Sequence, residues 1–256
     1  MGLIENTLFG KLDKVQIAID RIKAFCPPEG YYVAFSGGKD SVVILDLVKR
    51  SGVPFDAHYN ITGIDPPELY YFIRDTYPEV SRHKPGITIW KLIVKKRMPP
   101  TRRVRYCCEY LKEGGGHDRT VITGIRWAES ARRSKRKLTE ACFKDSRKIY
   151  LNPIIEWSDA EVWEYIHDNG IKYCSLYDEG FKRLGCIMCP MNTKREAECK
   201  RWPRYYQKYV KAFDACLKKR VEDGLKTTWT AGEEMMAWWL DDSKHKVDPD
   251  QSIMFE

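Results

Sequence analysis

Apolar positions along the chain switch between helical and extended spacing. From 12 to 25, Val15, Ile17, Ala18, Ile19, Ile22 and Phe25 predict an N-terminal helix that Pro27-Pro28 stops. The run at 31–35 is short and continuously apolar, as a buried strand is, and helical spacing returns over 41–51 before Gly52. A strand is expected at 55–60, and a helix at 66–77 with proline at its start, where the missing N–H costs nothing. The pattern predicts strands at 87–92 and at the β-branched stretch 120–125, and a strand or edge segment at 149–153. Ser158 and Glu161 form a capping box, which opens a helix carrying Val162, Trp163, Tyr165 and Ile166 on its apolar side. Strands alternating with helices predict an α/β fold: a mainly parallel sheet with helices on both faces and ligand at the carboxyl ends of the strands.

After Pro190 the chain turns helical, basic and aromatic to about residue 240, and 241–256 reads as a polar, mobile tail. The expected organisation is a nucleotide-binding domain over 1–190, a helical appendage over 191–240 and the tail. With 43% hydrophobic and 12% aromatic residues, the chain can bury a large core. Its net charge of +8 favours nucleotides, sulfonucleotides or nucleic acid without choosing among them. Charges interrupt the first 14 residues where a leader needs an apolar stretch, Asn6 spoils a myristoylation motif, and no run is long enough to span a bilayer. A soluble, cytoplasmic protein is expected.

The segment most charged with chemistry is Ser36-Gly37-Gly38-Lys39-Asp40-Ser41, between the first strand and its helix. The glycines let backbone approach a phosphate, and the helix that follows offers unpaired N–H groups and its positive dipole end. Lys39, Ser36 and Ser41 add a cation and two hydroxyls. A Walker A loop is excluded because Asp40, not Ser or Thr, follows the lysine. The loop resembles the pyrophosphate loop of the ATP pyrophosphatases.

Nine cysteines without a leader argue for metal or redox chemistry over disulfides. Cys107-Cys108 and Cys186-x-x-Cys189 supply four thiolates, enough for a [4Fe–4S] cube or a Zn²⁺ ion, with buried free thiols as the plain alternative. Cys26, Cys142, Cys174, Cys199 and Cys216 have no such spacing. At the end of the strand near 120, Gly124, Arg126, Ser130 and Arg132 open a basic run, and the two arginines are candidates for the far anionic group of a ligand. The run 133–137 reads instead as a solvated face. Trp202, Tyr205, Tyr206 and Tyr209 have helical spacing that core packing explains better than nucleic-acid stacking.

Six ordered segments, SGGKDS, TGIDPPELYYFI, RYCCEYLKE, TGIRWAESARR, NPIIEWSDAEVWEYI and YDEGFKRLGCIMCP, resemble the phosphoadenosine phosphosulfate (PAPS) reductase family over about 31–191. The resemblance implies an adenine nucleotide α-hydrolase-like fold with five or six strands. It implies nucleotide-binding roles for Ser36, Gly37, Gly38, Lys39, Asp40, Ser41, Asp65, Glu68, Gly124, Arg126, Ser130 and Arg132, with Lys39 and Asp40 catalytic. In its iron–sulfur members the CC…CxxC pattern implies a [4Fe–4S] cluster on Cys107, Cys108, Cys186 and Cys189.

Two departures stand out. No cysteine follows Cys216, where sulfonucleotide reductases carry a C-terminal nucleophile, leaving Cys199 or Cys216 to replace it. The loop is also the full form of ATP-using members. Both turn the expectation toward Mg–ATP-dependent adenylation coupled to sulfur transfer, as in members that thiolate tRNA or place phosphorothioate in DNA, and toward short members of phages and mobile elements. Reduction of adenylyl sulfate or PAPS to sulfite and a non-catalytic nucleotide- or nucleic-acid-binding module are the alternatives. A nucleic-acid or sulfur-carrier partner and oligomerisation are left open.

Overall fold

The computed structural model describes residues 2–8, 10–143, 145 and 147–241, so the expected tail lies, but for Asp241, outside the described residues. Contacts divide the chain into two interleaved units: Met1–Asn60, Pro67–His83 and Gly115–Leu184 form the first, and Ile61–Pro66, Lys84–Gly114 and Gly185–Glu256 the second.

The first unit opens with an antiparallel hairpin, β1 (Ile4–Thr7) and β2 (Gly10–Asp13), which the apolar pattern did not announce. Asp13 then caps α1 (Lys14–Ala24), accepting the amides of Val15 and Gln16 at 3.0 Å. Next come β3 (Tyr31–Ala34), α2 (Lys39–Ser51), β4 (Phe55–Asn60), α3 (Pro67–Thr76) and β5 (Ser81–His83). The chain enters the second unit for α4 (Ile89–Lys96) and α5 (Tyr106–Leu111), then returns for β6 (Thr120–Ile122), β7 (Thr139–Ala141), β8 (Ile149–Leu151) and α6 (Asp159–Asp168). Helices α7 (Arg195–Arg201), α8 (Pro203–Glu222) and α9 (Gly232–Leu240) complete the second unit.

The six-stranded sheet runs β5-β4-β3-β6-β8-β7, parallel throughout except for β7, the antiparallel edge. The strand expected at 87–92 is helix α4: Thr88 caps it through the amide of Lys91, and Ile89, Leu92 and Ile93 share its buried face. The third-strand place belongs to β5, whose Ser-Arg-His side chains are all exposed and carry no apolar signal. β8 lies inside the sheet, between β6 and β7.

Helix α2 buries Val42, Val43, Ile44, Leu45, Leu47 and Val48, which makes it an internal helix of this unit. Gly52 ends it at φ 74°, a left-handed cap that suits glycine. The chain leaves β3 for β4 and β5 on one side and resumes at β6 on the other, so the strand order reverses between β3 and β6. The loops after these two strands flank the crevice where open α/β sheets take ligands.

In the second unit Tyr209, Phe213 and Trp239 form the aromatic centre, with Trp90 edge-on to Tyr209 at 4.9 Å. Trp202 and Tyr209 are buried, so these two residues of the aromatic series serve the core.

Candidate active site

The loop after β3 is shaped for an anion. Gly37 has φ 71°, and a Cβ there would come within 2.7 Å of Ile73, so conformation and space both call for glycine. Ser41 holds the loop from inside: its hydroxyl donates to the Gly38 carbonyl at 2.8 Å and accepts from the Ser36 hydroxyl at 3.2 Å and the Ser36 amide at 3.3 Å. Among the described residues, the amides of Gly37, Gly38 and Asp40 donate to no protein acceptor. These donors stand at the N-terminus of α2, where anions are favoured.

The Lys39 amide is different: it donates to the Tyr177 hydroxyl at 2.9 Å. Tyr177 sits in a short 3₁₀ turn, Ser175–Tyr177, with its ring edge-on to Trp163 at 5.1 Å. Burial pushes its phenol well above the usual value, so it stays protonated and able to donate.

The Lys39 side chain is buried, its ammonium 3.2 Å from Asp159 and 3.5 Å from Asp40. Arg126, fully buried, closes the group. Its Nε donates to Asp40 Oδ1 at 2.7 Å, Nη2 to Asp159 Oδ1 at 2.6 Å and Nη1 to the Trp157 carbonyl at 3.0 Å. Burial opposes ionisation of Asp159, yet Arg126 and Lys39 outweigh it and hold the carboxyl below the usual range. Two cations and two carboxylates thus balance at the mouth of the loop. The expectation that Arg126 reaches the far end of a ligand meets a different geometry: its guanidinium is committed to protein partners and braces the loop after β6 against α2.

Gly124 serves the same contact, because a Cβ there would lie 2.8 Å from the Asp40 carbonyl oxygen. Ser130 and Arg132 are exposed, and the Ser130 hydroxyl accepts the Arg133 amide at 3.2 Å. Glu68 stands in the first turn of α3, its charge felt by the Cys174 thiol. Sequence reasoning missed Asp159 and Tyr177; the only signal for Asp159 was its place just inside the Ser158 capping box.

Asp65 belongs to the second unit, with the cysteines. Its carboxylate accepts the Thr62 amide at 2.8 Å and its carbonyl the Tyr205 hydroxyl at 3.3 Å. Cys107 and Cys108 lie on α5, and the Arg105 guanidinium donates to the Cys108 sulfur at 3.2 Å. A hydrogen bond from Cys107, with the charges of Arg105 and Lys112, lowers the Cys108 thiol, while its partner Cys107 is raised. The Cys186–Cys189 turn is held from two sides. The Ile187 amide donates to the Ile64 carbonyl at 2.7 Å, and the Met188 amide to Glu198 at 2.6 Å.

Burial pushes the Cys186 thiol up to about 11, and the Lys112 ammonium, raised chiefly by the Cys186 charge, opposes that. The Cys107 thiol thus feels the charges of Cys108, Cys186 and Cys189, and Arg105 and Lys112 add positive charge beside them. Among the described residues, no three His, Cys, Asp or Glu side chains converge as ligands of a single ion. Nor is any described helix long and apolar enough to cross a membrane.

The chain is 31% identical over 227 residues to an uncharacterized protein of Methanocaldococcus jannaschii, covering 81% of this chain and 45% of that relative. It thus spans about half the length of the first curated relatives it matches. Adenosine 5'-phosphosulfate reductase of Oceanobacillus iheyensis is 29% identical over 184 residues, 66% of this chain and 75% of the relative. PAPS reductase of Candida auris, solved as a phosphate complex, shares the fold with a TM-score of 0.53 and 23% identity, over 70% of this chain and 90% of that one. The phosphoadenosine phosphosulfate reductase domain model matches residues 30–192, which include the loop after β3, its Arg126 brace and all four paired cysteines, and the chain belongs to that family.

Proposed function

We propose that this chain is an adenine-nucleotide-dependent enzyme that takes ATP with Mg²⁺ at the α2 N-terminus, adenylates an acceptor and releases pyrophosphate, its cysteine set supporting sulfur transfer. The observation that carries the reading is the cradle itself: undonated amides of Gly37, Gly38 and Asp40 beside the buried Lys39 ammonium, at the strand-order reversal. In the step proposed, an acceptor oxygen attacks the α-phosphorus and the bond to the bridging oxygen of the β-phosphate breaks, leaving pyrophosphate. The loop amides and Lys39 stabilise charge growing on that leaving group, which is electrostatic preorganisation rather than acid–base work. Asp159 keeps 63% of its side chain exposed and its Oδ2 outside the Arg126 and Lys39 contacts, the donor a magnesium ion brought by ATP would meet.

The thiols fit an iron–sulfur cluster by donor chemistry. Cys107 feels the charges of the other three cysteines, and Arg105 and Lys112 supply the positive charge that a net-negative cluster needs. Cys107, Cys108, Cys186 and Cys189 would hold it, and it would supply an electron or sulfide relay for the acceptor.

Thiol-dependent sulfonucleotide reduction finds less support. Cys216 is fully buried with a raised thiol, and burial pushes Cys199 up to about 11, so neither is poised as a thiolate nucleophile. Anaerobic purification with iron and sulfide assays, followed by ATP–pyrophosphate exchange and sulfite release from adenylyl sulfate, separates the readings. Exchange without sulfite release is expected; sulfite release without exchange overturns the proposal.

A further inference from the structure

Helices α4 and α8 of the second unit flank an open groove of about 710 Å³ that the nucleotide chemistry does not use. Val94, Ala212, Ala215 and Trp90 form its floor, and four lysines rim it. Lys91 and Lys95 stand one turn apart on α4, and Lys208 and Lys211 one turn apart on α8. All four are exposed, and none forms an ion pair among the described residues. Lys95 lies over the Tyr110 ring and Lys208 over the Tyr205 ring, and none of the four meets a carboxylate, so an open apolar groove carries positive charge on both banks with no anionic partner among the described residues.

We propose that this groove receives an acidic amphipathic helix of a partner protein. Charge complementarity and shape argue for that occupant. A helix presenting an apolar stripe with carboxylates on both flanks, repeated each turn, matches lysines on both banks at one-turn spacing. Ala212 and Ala215 let its backbone come close. A single nucleic-acid strand lacks this match: it asks for open aromatic faces, and the one aromatic ring of the floor, Trp90, is wedged edge-on against Tyr209. A second copy of this chain is disfavoured, because self-pairing of this face sets lysine against lysine on a chain of net charge +8.

The test uses the full chain and a fluorescent helical peptide of roughly 16 residues, leucines on one stripe and glutamates on both flanks. Anisotropy is expected to show saturable binding that weakens about fivefold or more between roughly 50 and 300 mM salt. Lys91→Glu/Lys208→Glu, one reversal per bank, is expected to lose about tenfold or more. Ala215→Arg, which fills the floor from an exposed position, is expected to block binding while the melting temperature holds. Absence of saturable binding overturns the proposal, as does equal binding of a scrambled peptide of the same composition. Tighter binding of a thymidine oligonucleotide that competes for the same lysines assigns the groove to nucleic acid, and a dimer mass that Ala215→Arg abolishes assigns it to a second copy; either result overturns it.

Discussion

Arg126 Nε lies 2.7 Å from Asp40 Oδ1, joining the loop after β6 to the first turn of α2. These residues are 86 positions apart, and their contact fixes the two loops that flank the crevice. The guanidinium also carries Asp159 and the Trp157 carbonyl, so one buried cation satisfies three groups at once. Arg126→Met, which keeps bulk and removes charge, is expected to cost about 3 kcal/mol in urea unfolding, because two carboxylates and a carbonyl lose their donor. An unchanged midpoint would contradict the brace.

Close backbone approach makes a second prediction. Gly124→Ala forces a Cβ to 2.8 Å from the Asp40 carbonyl oxygen, which must move the loop or the helix. A loss of about 2 kcal/mol is expected. Gly114→Ala, with nothing within 4 Å of the added methyl, serves as the comparison and is expected to leave unfolding unchanged.

The Tyr177 hydroxyl accepts the Lys39 amide at 2.9 Å. Tyr177→Phe leaves that amide without its acceptor, so the free protein is expected to lose about 1 kcal/mol. A polyphosphate bound as proposed would supply the missing acceptor. The rise in melting temperature on adding ATP is therefore expected to be larger for the variant than for the native chain. An equal rise would place the phosphates away from this amide.

Stability at acid pH has a defined sign. The folded Asp159 carboxyl is held below its usual value by Arg126 and Lys39 against the opposing effect of burial. Unfolded, it titrates near the ordinary value of about 3.9. Its contribution is therefore complete above that value, declines as pH falls through it, and is gone below the depressed folded value. Unfolding free energies measured across this range are expected to show a shallower acid limb for Asp159→Asn. An acid limb as steep as the native one would contradict the network.

Much of this was legible in the sequence where local rules decide. The glycines of the loop, the Pro27-Pro28 stop and the Ser158–Glu161 box carry their geometry in neighbouring residues, and α1, β3, α2, β4 and α6 follow. Residues 87–92 misled because β-branched alternation resembles a strand, while Thr88 as a cap and a buried face repeating over three and four residues decide for helix. β5 was invisible because an edge strand of exposed polar residues has no apolar pattern; only pairing with β4 defines it. The commitment of Arg126, the roles of Asp159 and Tyr177, and the grouping of Asp65 with the thiols are long-range contacts, which no spacing encodes.

The proposed nucleotide site places an adenosine polyphosphate on the amides of the loop with the Lys39 ammonium beside it. Calorimetric titration of Mg–ATP into the native chain and into Lys39→Ala tests it most directly. Saturable binding by the native chain is expected, with a loss of at least about tenfold in the variant, equivalent to about 1.4 kcal/mol. Flat titrations of the native chain with ATP, adenylyl sulfate and its 3′-phosphate, or undiminished binding by Lys39→Ala, would contradict it.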